Sequence, residues 1–522
     1  MSRAGGQTRP HIQSPMNQVP SEILSIIFSL SCDIGTPVSF QGPAADTNSA
    51  RNYTALALSH VCSHWRAFVL ASPDLWSRII VRERLSHERA KVVERIVDLY
   101  LTRSESIPLD FVIEFPELGS CEPSLYDSQN LSTETYNLLE SFFPIYNLFS
   151  RHGMRWRRAY LTINTSVFQK RHNSYWSDTF PLLEALWVHV LGCSRVYSGR
   201  LEIMSAPFLK ELIHTGAGVS IGPGYGVAVR QHPLPTLESL LISGEFYGEN
   251  ISLACPNTSV TLSFISAFAS IDPVVCLAHS LRIELPGSKS YSEMVLGFMC
   301  DRLILPNITQ LRVELSPTEK GDPYGIYCPA ELLDLISKST HSSASTSLTH
   351  LTLISLFIQP SILLSILYNL PALTCFALGE SSGEYINNND YFGYDDQGLD
   401  EDFVPRDAFP VLTEAFFQSL TRSNHSNLLP NLKELQLAFG FGPVGSACMF
   451  TESRAYALLT MLDSRLATGH LCAVRLLLPR SLVVESVKEQ ATYWMKDKDL
   501  DFNLELVESR KDWRRLGLGN WE

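Results

Sequence analysis

A single hydrophobic pattern recurs along most of the chain. It consists of an apolar residue, two variable residues, a second apolar residue, one variable residue and a third apolar residue, usually two residues after a proline. Because the last two apolar positions alternate, their side chains lie on one face of a short strand. Proline suits the residues that lead into the strand, because it lacks the N–H that a strand interior needs. The first apolar residues of the copies are Leu183, Leu209, Leu237, Ile308, Leu348, Leu373 and Leu432.

The spacing of these copies predicts a repeat fold. Successive first positions are 26, 28, 71, 40, 25 and 59 residues apart. The shortest intervals fit one strand plus a returning helix, which is the unit of a leucine-rich repeat, and several units must stack to bury their apolar faces. We therefore expect an α/β fold in which an irregular leucine-rich repeat solenoid forms the main part. An ordinary α/β domain with parallel strands is the alternative, and the number of repeats in 243–305 stays open.

A helical pattern precedes the repeats. Pro20 and Glu22 stand where a helix start favours a missing N–H and a negative charge. A second helix is expected near residues 53–70, and a third short turn carries Leu75 and Trp76. The apolar positions of the first helix recur at helical spacing at Ile23, Ile26, Ile27 and Leu30, and those of the second at Leu58, Val61, Trp65, Phe68 and Val69.

Three phrases of this helical segment resemble an F-box. They read Val19-Pro-Ser-Glu-Ile-Leu, Leu58-Ser-His-Val-Cys-Ser-His-Trp-Arg66 and Ser72-Pro-Asp-Leu-Trp76. The sequences of these segments are most similar to those of the F-box-like proteins that are abundant in mushroom-forming fungi. Residues 93–109 resemble the helix-then-strand segment that those proteins place before their repeats.

The resemblance implies a binding role rather than an enzyme. An F-box docks on a Skp-type adaptor, which joins it to a cullin–RING ubiquitin ligase, while the repeats hold a protein substrate whose identity is unknown. Such a protein is expected in the cytoplasm, the nucleus or both. The positions that match the adaptor-binding motif are Pro20, Glu22, Ile23, Leu24, Ile27, Phe28, Val61, Cys62, Trp65, Leu75 and Trp76.

A second interpretation is a protein-interaction scaffold that binds no ligase. The F-box-like helices would then cap the end of the solenoid, because a stack of repeats needs its terminal face covered. Ile23, Ile27, Val61 and Trp65 would in that case be ordinary core residues. Exposure of Pro20, Leu24, Phe28 and Cys62 distinguishes the two interpretations, since a contiguous exposed apolar patch favours docking and full burial against the repeats favours capping.

These patterns divide the chain into successive segments. We expect a disordered lead and then an F-box-like helical module, followed by a connecting helix with the start of the solenoid. The solenoid itself contains an acidic insertion, and a C-terminal cap or tail follows it. The corresponding boundaries are 1–15, 16–80, 81–157, 158–480 with the insertion at 380–402, and 481–522.

Composition and charge narrow the function further. The 522 residues are 45% hydrophobic and 18% charged, which is apolar enough for a large core. The net charge of −13 argues against binding to nucleic acid phosphates. Residues 339–379 lack Asp, Glu, Lys and Arg, but polar residues and prolines interrupt every window long enough to cross a membrane. We therefore expect neither a nucleic acid nor a membrane as partner.

The acidic insertion between Glu380 and Asp402 contains eight carboxylates and no lysine or arginine. It would suit a basic partner, or it would simply be a solvated loop. The candidate partner residues are Asp390, Tyr391, Tyr394, Asp395, Asp396, Asp400, Glu401 and Asp402.

Motifs for catalysis or for cofactors are weak. The eleven cysteines form no C-x-x-C pair, and His60 and His64 have the i, i+4 spacing of zinc ligands without the glutamate of the metalloprotease motif. A glycine-rich segment from Gly216 to Gly224 resembles the opening of a nucleotide site but lacks its further motifs. The sequence therefore predicts no cofactor, no metal and no catalytic residue.

Overall fold

Each copy of the hydrophobic pattern leads into a strand. In the computed structural model, the strand begins two residues after the first apolar residue in all seven copies. The structure describes residues 19–32, 53–82, 86–114, 133–164, 179–191, 200–203, 205–216, 226–229, 234–269, 273–285, 289–315, 326–327, 331–341, 348–380, 411–422, 428–439, 451–467, 470–479 and 501–507. The chain divides into two compact units, one of residues 1–209 and 226–230, the other of residues 210–225 and 231–522.

The first unit opens with four helices, which are α1 (Ser21–Ser31), α2 (Thr54–Ser59), α3 (Ser63–Leu70) and α4 (Pro73–Trp76). Local sequence sets their starts. Pro73 occupies the first turn of α4, where its missing N–H costs nothing. The Cys62 sulfur accepts a hydrogen bond from the Trp65 backbone N–H at 3.4 Å and caps α3.

Four parallel strands follow in the same unit. They are β1 (Arg78–Arg82), β2 (Leu109–Glu114), β3 (Trp156–Asn164) and β4 (Ala185–Leu191), paired in chain order. Helix α5 (His87–Arg103) links β1 to β2, and α6 (Thr133–Ser150) lies between β2 and β3. The remaining elements are a 3₁₀ turn at Gly153–Arg155 and the short parallel strands Arg200–Ile203 and Gly226–Val229.

Trp76 joins the helices to the strands. Trp76, Trp156 and Leu183 each stand two residues before the register row that contains Arg78, Arg158 and Ala185. All three apolar side chains are buried. The Trp76 indole N–H also donates to the Val69 carbonyl at 2.8 Å, which ties the end of α3 to the start of β1. The last turn of the helical segment is therefore also the entrance to the first strand.

In the second unit, ten parallel strands of the described residues again pair in chain order. They are β5 (Glu211–Gly216), β6 (Ser239–Tyr247), β7 (Ser259–Ala269), β8 (Ser280–Leu285), β9 (Gln310–Leu315), β10 (His350–Ile354), β11 (Cys375–Gly379), β12 (Glu434–Ala438), β13 (Ala473–Pro479) and β14 (Asp501–Val507). Strands β7 and β8 lie within the gap of 71 residues between Leu237 and Ile308, where the sequence pattern alone leaves the number of repeats open. The predicted α/β class is confirmed.

Helices and short strands connect the strands of the second unit. The helices are α7 (Lys289–Arg302), α8 (Glu331–His341), α9 (Pro360–Tyr368), α10 (Glu414–Leu420) and α11 (Glu452–Leu466), with a 3₁₀ turn at Gly248–Leu253. Two short parallel pairs join Val274–Val275 to Leu303–Ile304 and Ile326–Tyr327 to Leu356–Phe357.

A ladder of threonines fixes the approach to three adjacent strands. The Thr309 hydroxyl donates to the His279 carbonyl, that of Thr349 to the Thr309 carbonyl, and that of Thr374 to the Thr349 carbonyl, each at 3.1 Å. The backbone N–H of each threonine bonds to the same carbonyl. Each turn thereby ties itself to the preceding turn, which helps to set the register.

Arg465 stabilises the turn between α10 and β12 through bonds to backbone carbonyls. Its guanidinium donates to the carbonyls of Leu420, Leu428 and Leu429 at 2.9, 2.6 and 2.9 Å, and its side chain is buried. Burial, and to a lesser extent the charge of Arg422, lowers the pKa of Arg465. The three carbonyls would lose their donors without this side chain.

Replacing Arg465 by methionine is expected to lower the free energy of unfolding by about 3 kcal/mol, because three buried carbonyls lose a charged donor. Urea unfolding followed by circular dichroism measures the change. The control is Arg302→Met, which removes a largely exposed pair with Asp301 and should cost under about 1 kcal/mol. Equal losses in the two variants would show that Arg465 has no special part in the turn.

Burial also makes the stability depend on pH. It lowers the pKa of His189 below its ordinary value of 6.5, although Glu114 opposes the shift, and it lowers those of His152 and His350. Since the folded chain binds the proton less well than the unfolded chain, this contribution is present above pH 6.5 and is lost as the pH falls through the folded values. We expect the urea midpoint to decrease less between pH 7.5 and 5.5 in His189→Gln than in the wild type. An equal decrease of the urea midpoint in His189→Gln and in the wild type would show that His189 does not contribute to the pH dependence.

Candidate functional site

Helix α1 exposes a stripe of large apolar side chains. Ile23, Ile26, Ile27 and Leu30 follow helical spacing and are between 46% and 70% exposed. We call these four residues the α1 stripe. On the opposite side of the helix, Leu24 and Phe28 are 1% exposed and belong to the core. An exposed apolar stripe on a folded module is typical of a surface that binds a partner.

Phe28 holds α1 in this orientation. Its ring lies edge-on to Trp65 and Phe68, with centroid distances of 4.8 and 5.6 Å. Arg78 Nη1 donates to the carbonyl of Ser29 at 2.8 Å, which connects α1 to the first strand. The stripe is therefore presented by a helix that is anchored on its other side by aromatic packing.

The structure separates the predicted adaptor residues into three groups by their exposure. Pro20, Glu22 and Val61 are exposed together with Ile23 and Ile27. Cys62 and Trp65 are half-buried. The fully buried members are Leu24, Phe28, Leu75 and Trp76.

The buried residues cannot contact a partner in this conformation. Trp76 lies edge-on to Tyr100 at 4.9 Å, and the Tyr100 hydroxyl accepts a hydrogen bond from the Leu56 N–H at 3.0 Å. The expectation that Leu24, Phe28, Leu75 and Trp76 touch the adaptor is therefore corrected, because these side chains form the core that positions the stripe. Helical spacing alone could not reveal this, since α1 is apolar on both sides.

Few charges lie near the α1 stripe. Glu22 is the only charged side chain of α1, and it stands in the first turn, where it interacts favourably with the helix dipole. His60, His64 and Arg66 are exposed in and beside α2 and α3, and Arg66 Nε donates to the Ser59 carbonyl at 2.9 Å. The stripe is thus an apolar contact surface rather than an electrostatic one.

The acidic candidate residues Asp390 to Asp402 lie outside the described residues. Glu380, which opens the predicted insertion, is described and is buried. Its Oε1 atom accepts a hydrogen bond from the Leu412 N–H at 2.6 Å, and its own N–H donates to the Ala438 carbonyl at 2.9 Å. Glu380 is therefore a structural residue that ties strand β11 to the chain after the insertion, and it is not part of an exposed acidic surface.

Metal-binding side chains do not cluster in the part of the chain that the structure describes. No group of three or more His, Cys, Asp or Glu side chains in this part of the chain could hold a metal ion. Burial raises the pKa of Cys32 to about 11 and that of Cys276 to about 12, which disfavours the reactive thiolate. In the same described residues, no helix has the length and apolar character to cross a bilayer.

Comparison with known proteins assigns no relative, because no protein-family profile and no curated protein matches the chain. The geometry of α1 to α4 and of the strands therefore carries the functional argument.

The two sides of α1 should respond differently to substitution. Phe28→Ala is expected to lower the free energy of unfolding by about 3–5 kcal/mol, because it leaves a cavity against Trp65 and Phe68. Ile26→Gln should change it by less than about 0.5 kcal/mol, because its side chain is already more than half exposed. Urea unfolding measures both values. A large loss in Ile26→Gln would mean that the stripe is part of the core.

Proposed function

We propose that this protein is the substrate-recognition subunit of an SCF-type cullin–RING ubiquitin ligase. In this proposal the α1 stripe and Val61 bind a Skp-type adaptor, and the repeat strands hold the protein to be ubiquitinated. The protein itself is not an enzyme. It acts in the cytoplasm or the nucleus, where such ligases work.

One observation carries the proposal. In the segment whose sequence resembles an F-box, helix α1 exposes the apolar residues of the α1 stripe, while aromatic packing buries the other side of this helix. Large apolar side chains that remain exposed at helical spacing are the anchors that a helical or grooved partner uses. Val61, which is 58% exposed between α2 and α3, adds a further apolar contact.

The finer description of the fold belongs to the same proposal. We infer that α1 to α4 form an F-box-like module and that the strands with their returning helices form an irregular leucine-rich repeat solenoid. The regular strand starts after each hydrophobic pattern and the threonine ladder support the second part. Trp76 supports a rigid connection, because it belongs to the last helix of the module and to the buried row before the strands.

The scaffold interpretation has one observation in its favour. Trp76 and Arg78 tie the helical segment to strand β1, as a cap on the end of a repeat stack would require. However, the Phe28 ring packs against Trp65 and Phe68 of the helical segment itself. A cap would not need the exposed α1 stripe, so we favour adaptor binding.

The double variant Ile27→Asp with Leu30→Asp is expected to weaken binding to a purified Skp-type adaptor by about 100-fold or more. Each substitution removes an apolar contact worth about 1.5–3 kcal/mol and adds a charge to the interface. Isothermal titration calorimetry with the full chain measures the dissociation constant.

The matched control is Val92→Asp, which places the same charge on an exposed apolar position of α5 away from the stripe. It should leave the dissociation constant unchanged. If the folded wild-type chain does not bind the adaptor, the ligase proposal fails and the scaffold interpretation replaces it. Equal weakening by both variants would instead place the interface elsewhere.

A further inference from the structure

Two neighbouring strands of the second unit carry the same charged pattern. Strand β8 contains Leu281-Arg-Ile-Glu-Leu285 and strand β9 contains Leu311-Arg-Val-Glu-Leu315. The strands are in register, so that Arg282 lies beside Arg312 and Glu284 lies beside Glu314. The apolar residues that alternate with these charged residues along each strand are buried in the core, which places all four charged side chains on the other face of the sheet.

The four side chains form one network around Glu314. Glu314 Oε1 accepts from Arg282 Nε and Nη2 at 2.9 and 2.6 Å, and Glu314 Oε2 accepts from Arg312 Nε and Nη2 at 3.0 and 2.6 Å. Arg282 Nη2 also lies 2.6 Å from Glu284 Oε1. The Ser263 hydroxyl, from the preceding strand, donates to Glu284 Oε2 at 2.5 Å. One glutamate thus fixes the orientation of two guanidinium groups.

The exposure of the side chains increases from Glu314 through Arg312 to Arg282. The Glu314 side chain is 2% exposed, that of Arg312 is 14% exposed and that of Arg282 is 40% exposed. Burial favours the neutral form of Glu314, but Arg312 and Arg282 outweigh it and lower its pKa. Burial dominates at Glu284 and raises its pKa. The partly exposed Arg282 is therefore held by Glu314 and Glu284, two carboxyl groups that are largely removed from water, at a considerable desolvation cost.

The surface beside Arg282 offers hydrogen-bond donors. On the same face of the sheet, the positions next to it are Thr261, Ser280 and Gln310, all half-buried. Within the described residues, the bonds of Arg282 to the two glutamates use Nε and Nη2 and do not involve Nη1, and the side chain is 40% exposed. Glu284 and Glu314 lie two residues further along their strands, on the opposite side of the arginines from Ser280 and Gln310. Hydrogen-bond donors therefore flank Arg282 on the side away from the glutamates.

We propose that Arg282, with Ser280 and Gln310, binds the carboxylate of an aspartate or glutamate side chain on the target protein, and that Glu314 and Glu284 position the Arg282 guanidinium for this contact. The inference rests on the proposed function only in taking the repeat strands as the part that holds the target.

The charge of the network favours a carboxylate over a phosphate. Two arginines face two carboxyl groups, so the formal charges of the four side chains cancel and the network has little charge with which to attract a multiply charged anion. A carboxylate brings one negative charge, whereas a phosphorylated side chain brings nearly two. An arginine guanidinium also matches the planar carboxylate through paired hydrogen bonds.

Selection of randomised linear peptides displayed on phage against the full chain tests the proposal. We expect the enriched peptides to share an aspartate or glutamate. In a synthetic copy of the best peptide, changing that residue to its amide should weaken binding by about tenfold, as should Arg282→Ala in the protein. When the amide peptide is combined with Arg282→Ala, the affinity should fall little further than with either change alone, because both changes remove the same contact.

Three further variants separate recognition from folding. Arg282→Lys should recover only part of the affinity, since lysine keeps the charge but lacks the planar fork. Glu314→Gln should weaken the binding of the acidic peptide more than the binding of its amide form. A general loss of structure would weaken both to the same extent. Arg475→Ala is the matched control, because Arg475 pairs with Glu505 at 2.9 Å on the same face of the sheet, and it should leave peptide binding unchanged.

Several results would overturn the inference. They are an enriched set without acidic residues, no enriched peptide at all, additive effects of the two changes, or tighter binding of a phosphoserine version of the peptide. The outcome is independent of the adaptor proposal. Arg282→Ala should retain adaptor binding, and the α1 variant Ile27→Asp with Leu30→Asp should retain peptide binding.

Discussion

The burial of an apolar side chain at the entrance to most of the described strands is the constraint on which the structure depends. A single strand of five or six residues with its turn cannot remove its apolar face from water, so each strand is stable only beside the next strand. Trp156, Leu183, Leu237, Leu373 and Leu432 all occupy this position and are at most 1% exposed. The threonine ladder adds directional bonds to this apolar row and so helps to fix how far each strand is shifted along its neighbour.

Trp76 extends the same constraint into the helical segment. Because it is both the end of α4 and the first member of the buried row, the helices cannot rotate against strand β1 without exposing a tryptophan and breaking its bond to Val69. This gives α1 a fixed support. A surface for a partner then needs only apolar residues on the side of α1 that this support leaves open, and the α1 stripe supplies them.

On the face of the sheet opposite the apolar row, the second unit carries separate networks of polar residues. Arg282, Arg312, Glu284 and Glu314 form one on β8 and β9, and Arg475 and Glu505 form another on β13 and β14. Networks of this kind contribute little net stability, because the desolvation of the charges offsets their attraction. Their value lies in holding donors at fixed positions, which recognition of a partner requires.

The sequence alone determined the elements and their class, because the hydrophobic pattern and the prolines before it act locally. It located the strands that follow Leu237, Ile308, Leu348, Leu373 and Leu432 and the α/β nature of the chain. The repeated Leu-Arg-apolar-Glu-Leu phrase also stood in the sequence, but only the parallel register brought Arg282 within 2.6 Å of Glu314, 32 residues further on. The tertiary structure likewise decided which side of α1 faces solvent. Both sides of that helix are apolar, and the packing of Phe28 against Trp65 and Phe68 made the choice between them.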